Sequence, residues 1–422
     1  MNKKQWPLVL SGILILSLMP SVYAQDAPQW PAFHGPDRSN KSMETGLLSE
    51  WPAEGPELLW TISGLGKGYS TVSIVDNFIF TAGTEGQHTV VFAFDLEGKL
   101  LWKKPNGQSW STQMSHARAY NGSRSTPTYS DGVVYHLADL GRLAAFDAGT
   151  GNELWSMELR EEFDAEIPEY GYAESIYIEG DRLYCCPAGS KAYIICLDKR
   201  TGRLIWANKN IDGTVGFSSL VMFDHGGHRQ LAGLSSNSIF ALDAKSGGLL
   251  WQVDYENSRS NNVCDPIFHD GYLFASSGYG KGSILLKLGG HRISPETVWQ
   301  TELMDNHHGG VILHEGYLYG AGHNSRGWFC LDFLTGKEQW KAGGKGSITF
   351  ADGMLYCLDE RGIIRLVKAS PESYGLVSEF EVPSGGAGFH WAHPVVCGCR
   401  LYIRHQDKLF VYDISARESP EN

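Results

Sequence analysis

The chain has 422 residues, a formal net charge of −12, 50 glycines, 12% aromatic and 19% charged residues. An acidic balance without a basic stripe excludes nucleic acid and anionic lipid as electrostatic partners. Abundant glycine and aromatic residues with little helical periodicity point to many short strands joined by tight turns, and no Pro/Ser-rich linker divides them.

The start, Met1-Asn2-Lys3-Lys4, then an apolar run from Leu8 to Met19, then Val22-Tyr23-Ala24 before Gln25, has the three parts of a secretory signal peptide. Residues 1–24 are therefore expected to be removed after Ala24, leaving a periplasmic or secreted protein. The apolar run is too short for a membrane span, and no cysteine near the junction offers a lipid anchor. Residues 25–56 hold Trp30-Pro31, His34-Gly35-Pro36, Trp51-Pro52 and Gly55-Pro56, an expected ordered lead-in lying across the body of the protein, with at most one helical turn at Glu44 to Leu48.

From residue 57 a repeat governs the chain. AFDLEGKLLW ends at Trp102, AFDAGTGNELW at Trp155, CLDKRTGRLIW at Trp206, ALDAKSGGLLW at Trp251 and CLDFLTGKEQW at Trp340. Each copy reads as a hairpin: a strand ending at Asp, a turn whose Gly accepts positive φ, and a strand ending in an aromatic. Weaker copies run from Leu286-Lys287-Leu288 to Trp299 and from Arg365-Leu366-Val367 to Phe380, and the last, Val411-Tyr412-Asp413, lacks its closing strand. Glu57-Leu58-Leu59-Trp60 is predicted to supply it. A spacing of about 40 to 50 residues with four strands per unit predicts an all-β, eight-bladed β-propeller over residues 57–415, closed by its N-terminal strand, with 416–422 a flexible tail.

Ahead of each innermost strand stands a short polar segment, and all eight are expected at one mouth of the central channel. Tyr69, Arg124, Glu174, Asp265, His308, Lys345, Trp391 and His393 would share one pocket there, with the mixed charge and aromatic content of a site for a polar small molecule, a glycan or a protein loop. The segment from Gln108 to Arg124, carrying Trp110, His116, Arg118 and Tyr120, is long enough to fold over that mouth. Tyr402 to Asp407 alternates so that Arg404 and Gln406 share one face, His405 and Asp407 the other, and should tie the last blade to the first. Cys196 and Cys330 fill a slot held elsewhere by Ala, so they read as buried thiols; Cys185-Cys186 and Cys397/Cys399 are the pairs a disulfide could join.

The A-x-D-x-x-T-G-x-x-x-W pattern resembles the tryptophan-docking repeat of the pyrroloquinoline-quinone (PQQ) type β-propellers, which include quinoprotein alcohol dehydrogenases and the propeller lipoprotein of outer-membrane β-barrel assembly. Trp30-Pro31-Ala32-Phe33-His34-Gly35-Pro36, Ser125-Thr126-Pro127-Thr128, Ser276-Ser277-Gly278-Tyr279-Gly280, Asn306-His307-His308-Gly309-Gly310 and Trp391-Ala392-His393-Pro394 are similar to exported PQQ-like repeat proteins of environmental bacteria. The resemblance implies the propeller fold. For the dehydrogenases it implies a vicinal disulfide on the quinone, a calcium ion held by Glu, Asn and Asp, and an Asp base. Here Glu174, Asn261, Asn262 and Asp265 are the candidate calcium ligands, Asp265 or Glu174 the candidate base, and Lys345 and Trp391 further candidates for cofactor contact. Cys185-Cys186 departs from that pattern, lying in a strand before Pro187.

Three functions follow as expectations: a binding or scaffold module acting through the polar rim, a PQQ- and calcium-dependent dehydrogenase of alcohols or sugars, or a polysaccharide lyase or hydrolase. In the last, His308, His393 or Tyr69 would move the proton while Arg124 or Lys345 neutralises a uronate.

Overall fold

The computed structural model describes Met1 and residues 28–110, 120–290 and 293–416. The leader, residues 111–119 of the expected mouth cover and the tail lie outside them, apart from Met1 and Ala416. Among the described residues the chain forms eight four-stranded antiparallel sheets and one short helix, Leu159–Phe163. Seven sheets are consecutive in sequence, the first being Ser73–Val75, Phe78–Glu85, His88–Phe94 and Leu100–Gln108. The eighth joins Val395–Cys397, Arg400–His405 and Lys408–Asp413 to Glu57–Ser63 from the other end of the chain, with Leu58 opposite Tyr412 and Trp60 opposite Val411. The predicted closure is present, and the fold is an eight-bladed β-propeller.

The repeat holds neighbouring blades together through one contact. The Asp of each motif organises its turn, as where Asp147 Oδ1 accepts from the backbone N–H of Thr150 at 2.8 Å and from its hydroxyl at 2.7 Å. That turn presents Gly151, at φ +69°, to the indole of Trp102 from the preceding blade, leaving no room for a Cβ. The indole N–H of Trp102 then donates to the carbonyl of Ala148 at 2.8 Å. Trp155 and Trp299 repeat the arrangement on Gly202 and Lys199 and on Gly336 and Phe333. Trp60 of the closing strand docks on Gly98, so the seam between the last blade and the first uses the same ring-on-glycine contact. Arg404 reinforces that seam from inside. Only 1% exposed, it donates to the carbonyls of Ser70 and Ala82 and, at 2.9 Å, to the hydroxyl of Thr81, while Asp407 accepts from the N–H groups of Gly64 and Gly66.

The lead-in does more than lie across the ring. Trp30 bridges Ile74 of the first blade, Pro31 accepts from the N–H of Tyr129 in the second, and Arg38 donates to the carbonyls of Ser175 and Ile176 before the third. Asn40 then bonds Ile348 and Phe350 of the seventh blade, so residues 30–40 reach the innermost strands around the ring and stop the channel from within. Glu44 to Leu48 forms no helical turn. Leu47 and Leu48 pair instead with Ser415 and Ile414, because bridging the last strand satisfies backbone groups that a single isolated turn would leave open.

Glu174 lies behind this plug, 1% exposed, with Oε2 accepting the N–H of Cys186 at 2.8 Å and Oε1 without a hydrogen bond. Burial lifts its carboxyl to about 7, against the pull of the Cys186 N–H and the Arg38 charge. Cys185 and Cys186 are buried thiols, not a disulfide, and Cys397 and Cys399 are also unpaired.

Two outcomes are expected. Gly151→Ala should lower unfolding free energy by about 2–5 kcal/mol, since left-handed strain and overpacking against Trp102 add. Gly226→Ala, at φ +60° with open space around the site, should lose only about 1–2 kcal/mol in the same urea titration. Glu174 holds its proton more tightly folded than unfolded, so its stabilising contribution is complete below its ordinary pKa and is lost as pH rises through about 7. Relative to Glu174→Gln, the wild-type chain should therefore lose roughly 3 kcal/mol between about pH 4 and pH 8.

Candidate functional site

In each blade the first strand begins, and the second strand ends, at the same mouth, because neighbouring strands are antiparallel. Two sets of loops therefore meet there: those ahead of the innermost strands and those joining second to third strands. They enclose a pocket of about 560 Å³. Tyr69, Arg124, Asp265, His308, Lys345, Trp391 and His393, the expected residues, line it from six separate strand starts. Glu174 does not, its carboxylate being turned onto Cys186.

Glu360, from the second-to-third loop of the seventh blade, organises one wall. His308 Nε2 stands 3.0 Å from its Oε1, the indole N–H of Trp391 donates to the same oxygen at 3.0 Å, and Lys345 Nζ is 3.2 Å from Oε2. Burial alone would raise this carboxyl, but the hydrogen bonds of His308 and Trp391 and the Lys345 charge bring it below the ordinary carboxylate range. As an ionised acceptor, Glu360 requires His308 to carry its proton on Nε2, which leaves Nδ1 as a lone pair without a hydrogen bond. Burial lowers the pKa of His308 and keeps the ring neutral.

The floor comes from the lead-in. Phe33 stacks on His34, whose Nε2 lies 3.0 Å from Nδ1 of His393, and His393 Nε2 lies 2.7 Å from the carbonyl of His308. A carbonyl only accepts, so His393 donates from Nε2 and accepts at Nδ1, and His34 must donate from its own Nε2. His34 Nδ1 then faces Asp265 Oδ2 at 3.4 Å, a contact that is favourable only with one proton held between the two groups. Asp265 Oδ1 accepts the N–H of Ser219 at 2.6 Å.

Aromatic rings make up much of the remaining wall. Trp391 stacks with Phe389 at 5.1 Å and Tyr120 at 5.4 Å between centroids, and Tyr120 leads on to Tyr170 and Phe217. Tyr69 packs beside Trp391 at 5.2 Å, and burial raises its phenol pKa. Arg124 lies over the rings of Tyr69 and Trp110 and donates to the carbonyls of Gly122, Tyr170 and Tyr120. On the far side Tyr279, His307 and His323 meet edge to face.

The quinone and calcium set implied by resemblance is not brought together. Asn262 is fully buried, its amide committed to the carbonyls of Ser235 and Tyr255 and its oxygen to the hydroxyl of Ser277. Glu174 points away and Cys185-Cys186 lie outside the pocket, so of the candidate calcium ligands only Asn261 and Asp265 reach it, beside Lys345 and Trp391, and Phe33 with His34 fills the floor. Among the described residues no cluster of three or more His, Cys, Asp or Glu has the geometry to hold a metal ion. His136 is wholly buried against Asn106, and His116 of the expected mouth cover lies outside the described residues.

Sequence reasoning missed Glu360, Tyr279 and His323 because it placed only the first set of loops at the mouth. Antiparallel pairing of the predicted strands was the signal that could have found them. Phe33 and His34 were singled out only for resemblance; the His34-Gly35-Pro36 turn, with His34 at φ +65° and Gly35 at +84°, marks where the lead-in bends into the channel.

A family model described as outer membrane protein assembly factor BamB matches residues 87–342, more than half the chain. Quinohemoprotein alcohol dehydrogenase ADH IIB of Pseudomonas putida is 26% identical over 164 residues, 35% of this chain and 22% of that protein. Outer membrane protein assembly factor BamB of Moranella endobia (strain PCIT) is 22% identical over 268 residues, 58% of this chain and 64% of that one. The chain thus spans less than two thirds of the length of either relative. The solved structure of quinohemoprotein alcohol dehydrogenase ADHIIG from Pseudomonas putida HK5 superposes with a TM-score of 0.62 at 13% identity, covering 93% of this chain and 81% of that one. Eight blades and a match running from the third strand of the first blade to the end of the sixth lead to one assignment: the chain belongs to the PQQ-like β-propeller repeat family that includes outer membrane protein assembly factor BamB.

Proposed function

We propose that this chain is an exported propeller whose mouth pocket binds a glycan. The observation that carries the reading is the arc of rings from Phe389 through Trp391 and Tyr120 to Tyr170, bordering a pocket of about 560 Å³ that also presents Glu360, His308 and Lys345. Sugar rings have apolar C–H faces and hydroxyl edges, and a wall of aromatics beside fixed donors and acceptors complements both. Rigidity supports it too: each polar group is held by a partner from another loop, so little ordering is required on binding. Export rests on the signal-like leader, and no helix among the described residues is long and apolar enough to cross a membrane.

A second reading, in which the pocket also cleaves its glycan by proton abstraction, is favoured by His308. Glu360 orients the ring through Nε2 and leaves Nδ1 as a buried lone pair without a partner, which would act as a general base once a bound ligand uncovers it. His393 is unsuited to that part because both its nitrogens are engaged.

An oligosaccharide panel titrated against the mature protein tests the first reading. Phe389→Ala and Tyr170→Ala should each weaken the best binder about tenfold, whereas Leu58→Ala, on the outer strand of the eighth blade, should leave affinity unchanged; binding insensitive to both pocket substitutions refutes it. Should cleavage be detected by release of new chain ends, His308→Ala should reduce kcat by roughly 10²–10⁴.

A further inference from the structure

We propose that the glycan taken by this pocket is acidic, its carboxylate or sulfate being received by Arg124 and Arg259. The inference rests on the glycan reading above and narrows it to a ligand class.

Arg124 is a largely buried guanidinium, and burial pushes its pKa down. Its three hydrogen bonds go to backbone carbonyls, and among the described residues no carboxylate is in ion-pair contact with it. Asp139 acts on it only at longer range. A cation taken from water is normally retained with an anionic partner, because carbonyl dipoles and aromatic faces replace only part of its hydration. Two of the two hydrogens on Nη1 are used, on Gly122 and Tyr170, and one on Nη2, on Tyr120. The free hydrogens therefore lie on Nε and Nη2, neighbouring nitrogens of the kind that engage a carboxylate or sulfate oxygen pair. The rings of Tyr69 and Trp110 support the guanidinium without competing for those hydrogens.

Arg259 supplies the second cation. It lines the same pocket, is exposed, and makes no ion pair among the described residues; its charge reaches the phenols of Tyr170 and Tyr279. The pocket's carboxylates do not cancel this pair. Glu360 is held by His308, Trp391 and Lys345, Asp265 by Ser219 and His34, and Glu169 is exposed beside Tyr170, where water screens it. On a chain of net charge −12, two unpaired guanidinium groups flanking Tyr170 are a local reversal of sign, which is what discrimination between acidic and neutral sugars requires.

Calorimetric titration of the mature protein with three oligosaccharides of matched length tests this: oligogalacturonate carries only carboxylates, an oligocarrageenan only sulfates, and a cello-oligosaccharide neither. At least one acidic probe should bind at least tenfold more tightly than the neutral one, with a preference that shrinks as salt is raised, and the stronger arm identifies the acid. Arg259→Gln should cut that preference several-fold with the fold intact, and Arg124→Gln should cut it further. If Arg124→Gln fails to fold, the exposed Arg259→Gln decides alone. Equal or tighter binding of the neutral probe, or a preference that survives the substitutions, overturns the acidic-sugar inference and leaves the glycan reading standing. Binding of none of the three overturns both.

Discussion

The ring depends on an indole laid on a glycine. In each strong repeat the Asp draws its turn tight, the turn exposes a glycine in the left-handed region, and the tryptophan of the preceding blade covers it. Any side chain at that glycine would collide with the ring, so the contact sets both the distance and the tilt between neighbouring blades. Because its partners lie on two different sheets, it orients one blade against the next, which a hydrogen-bonded ladder inside one sheet cannot do. Trp60 makes the contact across the seam, so the point where the chain's ends meet is held by the same means as the intervals at Gly151, Gly202, Gly247 and Gly336, with Arg404 and Asp407 fastening the inner edge.

Once blade spacing is set, the mouth follows. Antiparallel strands return to the same end of each sheet, and eight blades bring two loops apiece to one opening. Segments more than 300 residues apart in sequence, such as Tyr69 and Trp391 with centroids 5.2 Å apart, become neighbours there. The lead-in turns this opening from a tunnel into a pocket. Its Phe33 and His34 form a floor, and its Arg38 and Asn40 grip the inner strands below. Resemblance to quinoprotein dehydrogenases therefore holds for the scaffold but not for its contents: where a quinone and calcium set would be sought, Asn262 and Glu174 face inward to the protein and the lead-in occupies the base.

The glycan reading and its acidic refinement concern different features of this pocket. Aromatic surface beside fixed polar groups speaks for a sugar. Two guanidinium groups without carboxylate partners speak for charge on that sugar. His308, set by Glu360 with a buried lone pair that has no partner, is where chemistry would begin if the bound glycan is also cut.

Everything periodic could be read from the residues alone. Asp, Thr-Gly and Trp recur at fixed spacing because each blade must solve the same docking problem, and from that spacing the blade count, the closing strand at Trp60 and seven of the pocket residues were legible. The tie of Arg404 and Asp407 was legible too, from strand alternation. Tertiary structure alone decided what falls outside the period. The lead-in carries no repeat, so nothing local says that His34 enters the channel to meet Asp265 and His393. Glu174 stands one residue out of step with Arg124 and Asp265, whose counterparts in its blade are Ala173 and Ser175, so alternation carries its side chain away from the pocket, and packing alone supplies the Cys186 N–H that it meets.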